Sequence, residues 1–144
     1  MPARTDTPRS VAVILSWAWL LPVARIALVS AFLIGGIHKL IDFPGAIAEQ
    51  EHFGLQPAWL WAAAAVILEL GGAALVILER LVWLGAGGLG VLTAIAMLVA
   101  NDFWAKTGDD RFIAVNAFFE HLGLIAGLVL VSVMSLQEQA KGVT

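Results

Sequence analysis

The sequence predicts an all-α fold: an antiparallel four-helix bundle that spans a membrane, with both termini cytoplasmic. Three observations predict it, namely four long apolar runs, few charged residues and short connections between the runs. The runs cover residues 22–41, 57–78, 81–100 and 112–134. A helix needs about 20 mainly apolar residues to cross a bilayer. The four runs therefore occupy most of the 144 residues, and we expect one transmembrane domain over 1–144.

The composition excludes several classes of function. Hydrophobic residues make up 60% of the chain and charged residues 13%, against about 25% charged in soluble domains. The net charge of −3 comes with no basic stripe, so the expected partner is the lipid bilayer and no nucleic acid. The chain has no cysteine, which excludes disulfide exchange, thiolate metal sites and cysteine nucleophiles.

The N-terminal segment 1–21 resembles a signal peptide in having Arg4 and Arg9 before an apolar stretch. No small-x-small cleavage site follows, so we expect the segment to be retained. It is either an interfacial helix or a cytoplasmic extension of the first span, with Trp17 and Trp19 at headgroup depth. Arg25 would then lie close enough to that interface to snorkel towards it.

The loops predict the orientation and the cellular location. Residues 42–56 and 101–111 form the predicted outer loops, and residues 79–80 leave room only for a tight hairpin. Cytoplasmic termini place four basic residues inside and three outside, which agrees with the positive-inside rule: Arg4, Arg9, Arg80 and Lys141 against Lys39, Lys106 and Arg111. We therefore expect a multi-pass protein of the cell membrane, the bacterial inner membrane.

Small residues recur at helical spacing within the runs. Ala27, Ala31 and Gly35 lie four residues apart in the first, as do Gly123 and Gly127 in the fourth. Close helix contact in lipid depends on small residues. The pattern predicts a compact bundle, and it is equally compatible with a homodimer.

Polar residues inside the runs need protein or water around them, because a charge near the bilayer centre costs about 2.5–3.5 kcal/mol on insertion scales. At 1.5 Å per residue, Glu69 lies about 18 Å into the second run, and Glu120 and His121 lie about 12–14 Å into the fourth. Both runs point inward from the outer face. Glu69 and His121 are therefore expected to approach each other.

The outer ends of the four helices should gather most of the remaining polar residues. These form the predicted ligand-binding set: His38, Lys39, Asp42, Glu69, Asn101, Trp104, Asn116, Glu120 and His121. The inner ends offer mainly Arg25, Glu79 and Arg80, so the bundle is expected to be chemically one-sided.

Several readings of this set stay open. In one, the polar groups only join helices, for example through an ion pair of Lys39 with Glu120 or Asp42. Alternatively they form a polar funnel for the headgroup of a quinone or another amphipathic ligand, in which His121 or Glu120 exchanges protons near neutral pH.

Other chemistries have weaker support. A metal site is not predicted, because the three histidines lack the helical i, i+3 or i, i+4 spacing that metal sites often use. The sequence shows no arrangement of serine or cysteine residues that would support hydrolysis. Trp59, Trp61 and Trp83 are interpreted as interface anchors.

Three segments resemble the DoxX family of small four-helix membrane proteins: ARIALVSAFLIGGIHKLIDF at 24–43, LELGGAALV at 68–76 and NAFFEHLGLIAG at 116–127. The matching positions are Arg25, Gly35, Lys39, Asp42, Glu69 and Gly72, with the Phe-Phe-x-x-Leu frame of the fourth span. Where the family pattern has Lys-Asn before that leucine, this chain has Glu120 and His121.

The resemblance implies a link to quinol oxidases and thiosulfate–quinone oxidoreduction. It implies a membrane subunit or ligand-binding protein that serves a redox-protein partner and houses a quinone. The sequence has no heme ligand pair at bundle spacing and no flavin motif, so no intrinsic cofactor is expected. No self-sufficient catalytic motif is present, so an enzymatic role would be that of an accessory subunit. The alternative is a non-enzymatic scaffold that binds a cargo or partner protein.

Overall fold

A computed structural model describes residues 7–142, and all secondary structure in that range is helical. Six α-helices follow one another, with a short 3-10 helix at Phe103–Ala105 before the last: α1 Arg9–Leu15, α2 Leu20–Ile41, α3 Phe43–His52, α4 Ala58–Ile77, α5 Val82–Ala100 and α6 Gly108–Gly142. Four of them, α2, α4, α5 and α6, are long and apolar enough to cross a membrane. The predicted all-α four-helix membrane fold is confirmed.

The long helices pack in the order α2, α4, α5, α6, each against the next. The connection between α4 and α5 is a tight turn in which Glu79 and Leu81 have left-handed backbone conformations. The core lies between the helices and includes the fully buried side chains of Val29, Val76 and Leu89. We call the two ends of the bundle the α3 end and the hairpin end.

The predicted loop at 42–56 contains a ten-residue helix, α3. Asp42 begins it by accepting a hydrogen bond from the backbone N–H of Gly45 at 3.0 Å, and Pro44 lies in its first turn. Both residues are favoured at helix starts. The helix folds back over the bundle, packing mainly against α4 and also against α2.

The N-terminal segment also contains a separate helix. α1 ends at Leu15, and a turn including Ser16 and Trp17 separates it from α2. The segment therefore does not continue the first span as one helix. Trp17 and Trp19 are both exposed, with ring centroids 5.3 Å apart.

Small residues make some of the expected contacts but not all of them. Gly72 and Gly85 bring the backbones of α4 and α5 together: a Cβ atom on Gly85 would lie 2.7 Å from the carbonyl oxygen of Gly72. Ala27 and Ala31, by contrast, are exposed on α2. The small stripe of α2 therefore is not packed along its length within residues 7–142.

We expect Gly85→Ala to lower the free energy of unfolding by about 1–3 kcal/mol, the usual range for overpacking. The added methyl group would collide with backbone, which cannot rotate away. The matched control is Gly87→Ala in the same helix, where a Cβ atom meets nothing within 4 Å. Unfolding both variants in mixed micelles tests this, and equal stability would show that α4 and α5 do not make this contact.

Candidate functional site

The bundle contains a buried ion pair between α2 and α4. The ammonium Nζ of Lys39 lies 3.0 Å from Oε1 and 3.4 Å from Oε2 of Glu69. Gly35, one turn before Lys39, makes room for it, since a Cβ atom there would lie 3.3 Å from Oε2 of Glu69. The expected pairing of Lys39 with Glu120 or Asp42 is wrong: α2 packs mainly against α4, Glu120 is exposed on α6, and Asp42 instead caps α3.

His121 faces the same region from α6. Its Nδ1 lies 2.6 Å from the carbonyl oxygen of Ala117. A carbonyl oxygen only accepts, so Nδ1 carries the proton of this hydrogen bond and Nε2 of the neutral ring is an acceptor. His121 and Glu69 line the same cavities, with no hydrogen bond between them among the described residues.

We define the α3 cavity as the space of about 270 Å³ beneath α3, between α4, α5 and α6. Four members of the predicted ligand-binding set line it: Lys39, Glu69, Asn101 and His121. Apolar side chains of α5, including Leu92 and Ile95, complete the wall. The cavity therefore combines a charged pair, an amide and an imidazole with an apolar surface.

The α3 side of this cavity was missed by the sequence interpretation. Gln50 is 9% exposed and lines the cavity, and its side chain makes no hydrogen bond within residues 7–142. Phe53 lines it as well. Ala46, Gln50 and Phe53 have the i, i+4, i+7 spacing of one helical face, which is the signal that could have revealed α3. Trp61 also lines the cavity.

We define the seam cavity as a second space, of about 260 Å³, between α2 and α6. Ala31 and Phe32 of α2 line it on one side and Leu124 of α6 on the other. It shares five lining residues with the α3 cavity: Lys39, Glu69, Leu92, Ala96 and His121. The ion pair and the imidazole therefore stand where the two cavities adjoin.

The other predicted site residues lie elsewhere. His38 and Asp42 line a shallow groove between α2 and α3, which Lys39 and Glu49 also reach. Trp104 is exposed and packs edge-on against Phe118, with ring centroids 6.2 Å apart. Asn116 and Glu120 are exposed on α6 and line neither cavity.

A second ionic cluster lies at the hairpin end. Arg25 is 5% exposed and forms ion pairs with Glu79, in the α4–α5 turn, and with Glu138 of α6, the latter at 3.0 Å. Its Nε has no hydrogen-bond partner within residues 7–142. The expectation that Arg25 snorkels to an interface is therefore wrong, and so is the expectation that polar chemistry is confined to one end.

The sequence matches a known family of membrane proteins. The DoxX family model matches residues 20–102, more than half of the chain. The inner membrane protein YphA of Escherichia coli (strain K12) is 26% identical over 114 residues, covering 79% of this chain and 81% of that protein. No solved structure matches. With its four apolar spans this is a multi-pass bacterial membrane protein, and the chain belongs to the DoxX family.

Proposed function

We propose that the α3 cavity binds the polar headgroup of an amphipathic ligand dissolved in the bilayer, and that this ligand is a quinone or its quinol. The protein would act as a membrane subunit serving a redox partner. One observation carries the proposal: Lys39, Glu69 and His121 meet where two largely apolar cavities adjoin among membrane-spanning helices.

The donors and acceptors suit both forms of such a headgroup. A quinone presents two carbonyl oxygens that accept hydrogen bonds, and a quinol presents two hydroxyl groups that also donate. Lys39 has three N–H donors, and its pairing with Glu69 leaves donor capacity. The amide of Gln50 both donates and accepts, and Nε2 of His121 accepts from a hydroxyl group when the ring is neutral.

The size and the lining of the α3 cavity agree with a flat ring. Its volume of about 270 Å³ lies just below the roughly 300–1,000 Å³ of pockets that enclose whole drug-sized ligands. It therefore suits a headgroup better than a complete long-tailed molecule. Phe53 and Trp61 supply aromatic surfaces against which a ring can pack.

In this proposal the electrons pass to the partner protein, and this chain holds the headgroup and handles its protons. His121 is suited to that task because its imidazole has one nitrogen that donates and one that accepts a hydrogen bond. Its hydrogen bond to Ala117 holds the ring so that the second nitrogen remains available.

The test is saturable binding of a ubiquinone analogue with a ten-carbon tail to the protein in lipid nanodiscs. We expect His121→Ala to raise its Kd about tenfold, which corresponds to about 1.4 kcal/mol, the loss of one hydrogen bond. Glu120→Ala is the matched control, since this neighbour lines neither cavity. Its Kd should equal that of the parent.

Two outcomes would overturn the proposal: no saturable binding by the parent, or unchanged binding by a folded His121→Ala variant. Stable co-purification with a partner protein, without any bound quinone, would then favour the scaffold alternative.

A further inference from the structure

We infer that the seam cavity holds the apolar tail of the ligand and is the opening through which the ligand enters sideways from the bilayer. This inference rests on the proposed function and narrows the ligand class. It selects amphipaths with one long, flexible apolar chain, rather than compact polar molecules that arrive from water.

The first support is that one of the four pairs of neighbouring long helices is packed much less closely than the other three. The pairs α2–α4, α4–α5 and α5–α6 are extensively packed, whereas α2 and α6 make few contacts. Those two helices are joined towards the hairpin end, by the ion pair of Arg25 with Glu138 and by Leu28, which occupies the space beside Gly127. Towards the α3 end, the seam cavity lies between them.

The second support is the size of the side chains along the edge of α2. Ala31 and Gly35 lie one turn apart there and line the seam cavity. Neither has a side chain long enough to reach α6, so these two positions leave the gap unfilled. Protein interiors are close-packed, and in a bilayer an apolar gap of this kind must be filled by an acyl chain or by a ligand.

The third support is the chemistry of the α5 side chains that line the seam cavity. These are Leu92, Thr93 and Ala96. The Thr93 hydroxyl donates to the carbonyl oxygen of Leu89 at 2.7 Å, so its donor is already used within its own helix. These α5 side chains therefore suit hydrocarbon, and the polar groups of the seam cavity are those of Lys39, Glu69 and His121.

The position of the ion pair connects the two parts of such a ligand. Because both cavities share Lys39, Glu69 and His121, a headgroup in the α3 cavity can leave its chain in the seam cavity. At about 260 Å³ the seam cavity has room for one chain of moderate length rather than two. Double-chained phospholipids are thereby disfavoured.

The experiment compares two analogues with the same headgroup, ubiquinone without a tail and ubiquinone with a ten-carbon tail, in nanodiscs. Ala31→Phe fills the seam from α2. We expect it to weaken binding of the tailed analogue about tenfold and to leave the tail-less analogue unchanged. Ala27→Phe is the matched control, because this alanine is exposed one turn away and lines neither cavity. It should change neither Kd.

A second variant protects the test against misfolding of the first. Leu124→Trp fills the same seam from α6 and should produce the same difference between the two analogues. Thermal unfolding of each variant shows whether the bundle is intact.

The outcomes separate the two proposals. If the parent binds both analogues equally, or if both seam variants keep the parent's affinity for the tailed one, the seam inference is overturned and the headgroup proposal stands. If the parent binds neither analogue, the headgroup proposal fails and the seam inference falls with it. Equal weakening of both analogues in both seam variants would also overturn the tail assignment.

Discussion

Glu69→Leu is expected to lower the free energy of unfolding by about 3–5 kcal/mol, the range seen when one partner of a buried ion pair is removed. The substitution leaves the ammonium group of Lys39 inside the bundle without its carboxylate. Glu69→Gln should cost less, since the amide oxygen can still accept a hydrogen bond from Lys39. Unfolding in mixed micelles, followed by tryptophan fluorescence, measures the difference.

The double variant Lys39→Met/Glu69→Leu is the decisive control. Replacing a buried ion pair by apolar residues of similar size is often neutral or stabilising, so the second substitution should recover most of the loss. A Glu69→Leu variant as stable as the parent would mean that water in the cavities solvates Lys39 and that the pair does not hold α2 to α4.

The same double variant separates stability from binding. If it is folded, it retains His121 but lacks both members of the charged pair beside the two cavities. We expect it to lose most of its affinity for the tailed ubiquinone analogue. Stability and ligand recognition would then be shown to depend on the pair for different reasons.

The second large effect is expected at the hairpin end. Glu79→Gln/Glu138→Gln should lower the free energy of unfolding by about 3 kcal/mol, because it leaves the buried Arg25 guanidinium uncompensated. Each single variant should cost much less, since the other carboxylate remains. The glutamates themselves are 51% and 45% exposed, so burial of the arginine, not of the acids, sets the penalty.

Arg25→Met in the Glu79→Gln/Glu138→Gln background tests that reason. Removing the uncompensated charge should restore part of the lost stability, measured by the same unfolding assay. Two single effects that simply add up to the double, with no recovery on Arg25→Met, would show that the arginine is solvated and that the cluster does not tie α6 to α2.

The sequence by itself determined the class of fold and the need for internal partners. Four apolar runs of bilayer-crossing length predict four helices, since a helix satisfies all the backbone hydrogen bonds of its own segment in lipid. A glutamate in the middle of the second run required a partner for the same physical reason. Both conclusions follow from the local composition of the chain and need no knowledge of which helices are neighbours.

Tertiary structure alone decided which partner each polar group has. Glu69 pairs with Lys39 because α4 packs beside α2, and short antiparallel connections allow more than one order of helices. His121 lines the cavities whereas Glu120 is exposed, because successive helical residues point about 100° apart and packing against α5 sets the rotation of α6. A chain of the same composition could equally have Glu120 lining the cavities and His121 exposed.

The helix α3 shows the same limit on a local scale. Asp42 and Pro44 favour a turn and a helix start equally well, so their chemistry does not distinguish a loop from a capped helix. Burial of Ala46 and Gln50 accompanies the packing of α3 on the bundle. A helix this short is marginal in isolation and depends on such packing. Only the folded bundle therefore shows that α3 covers one side of the α3 cavity.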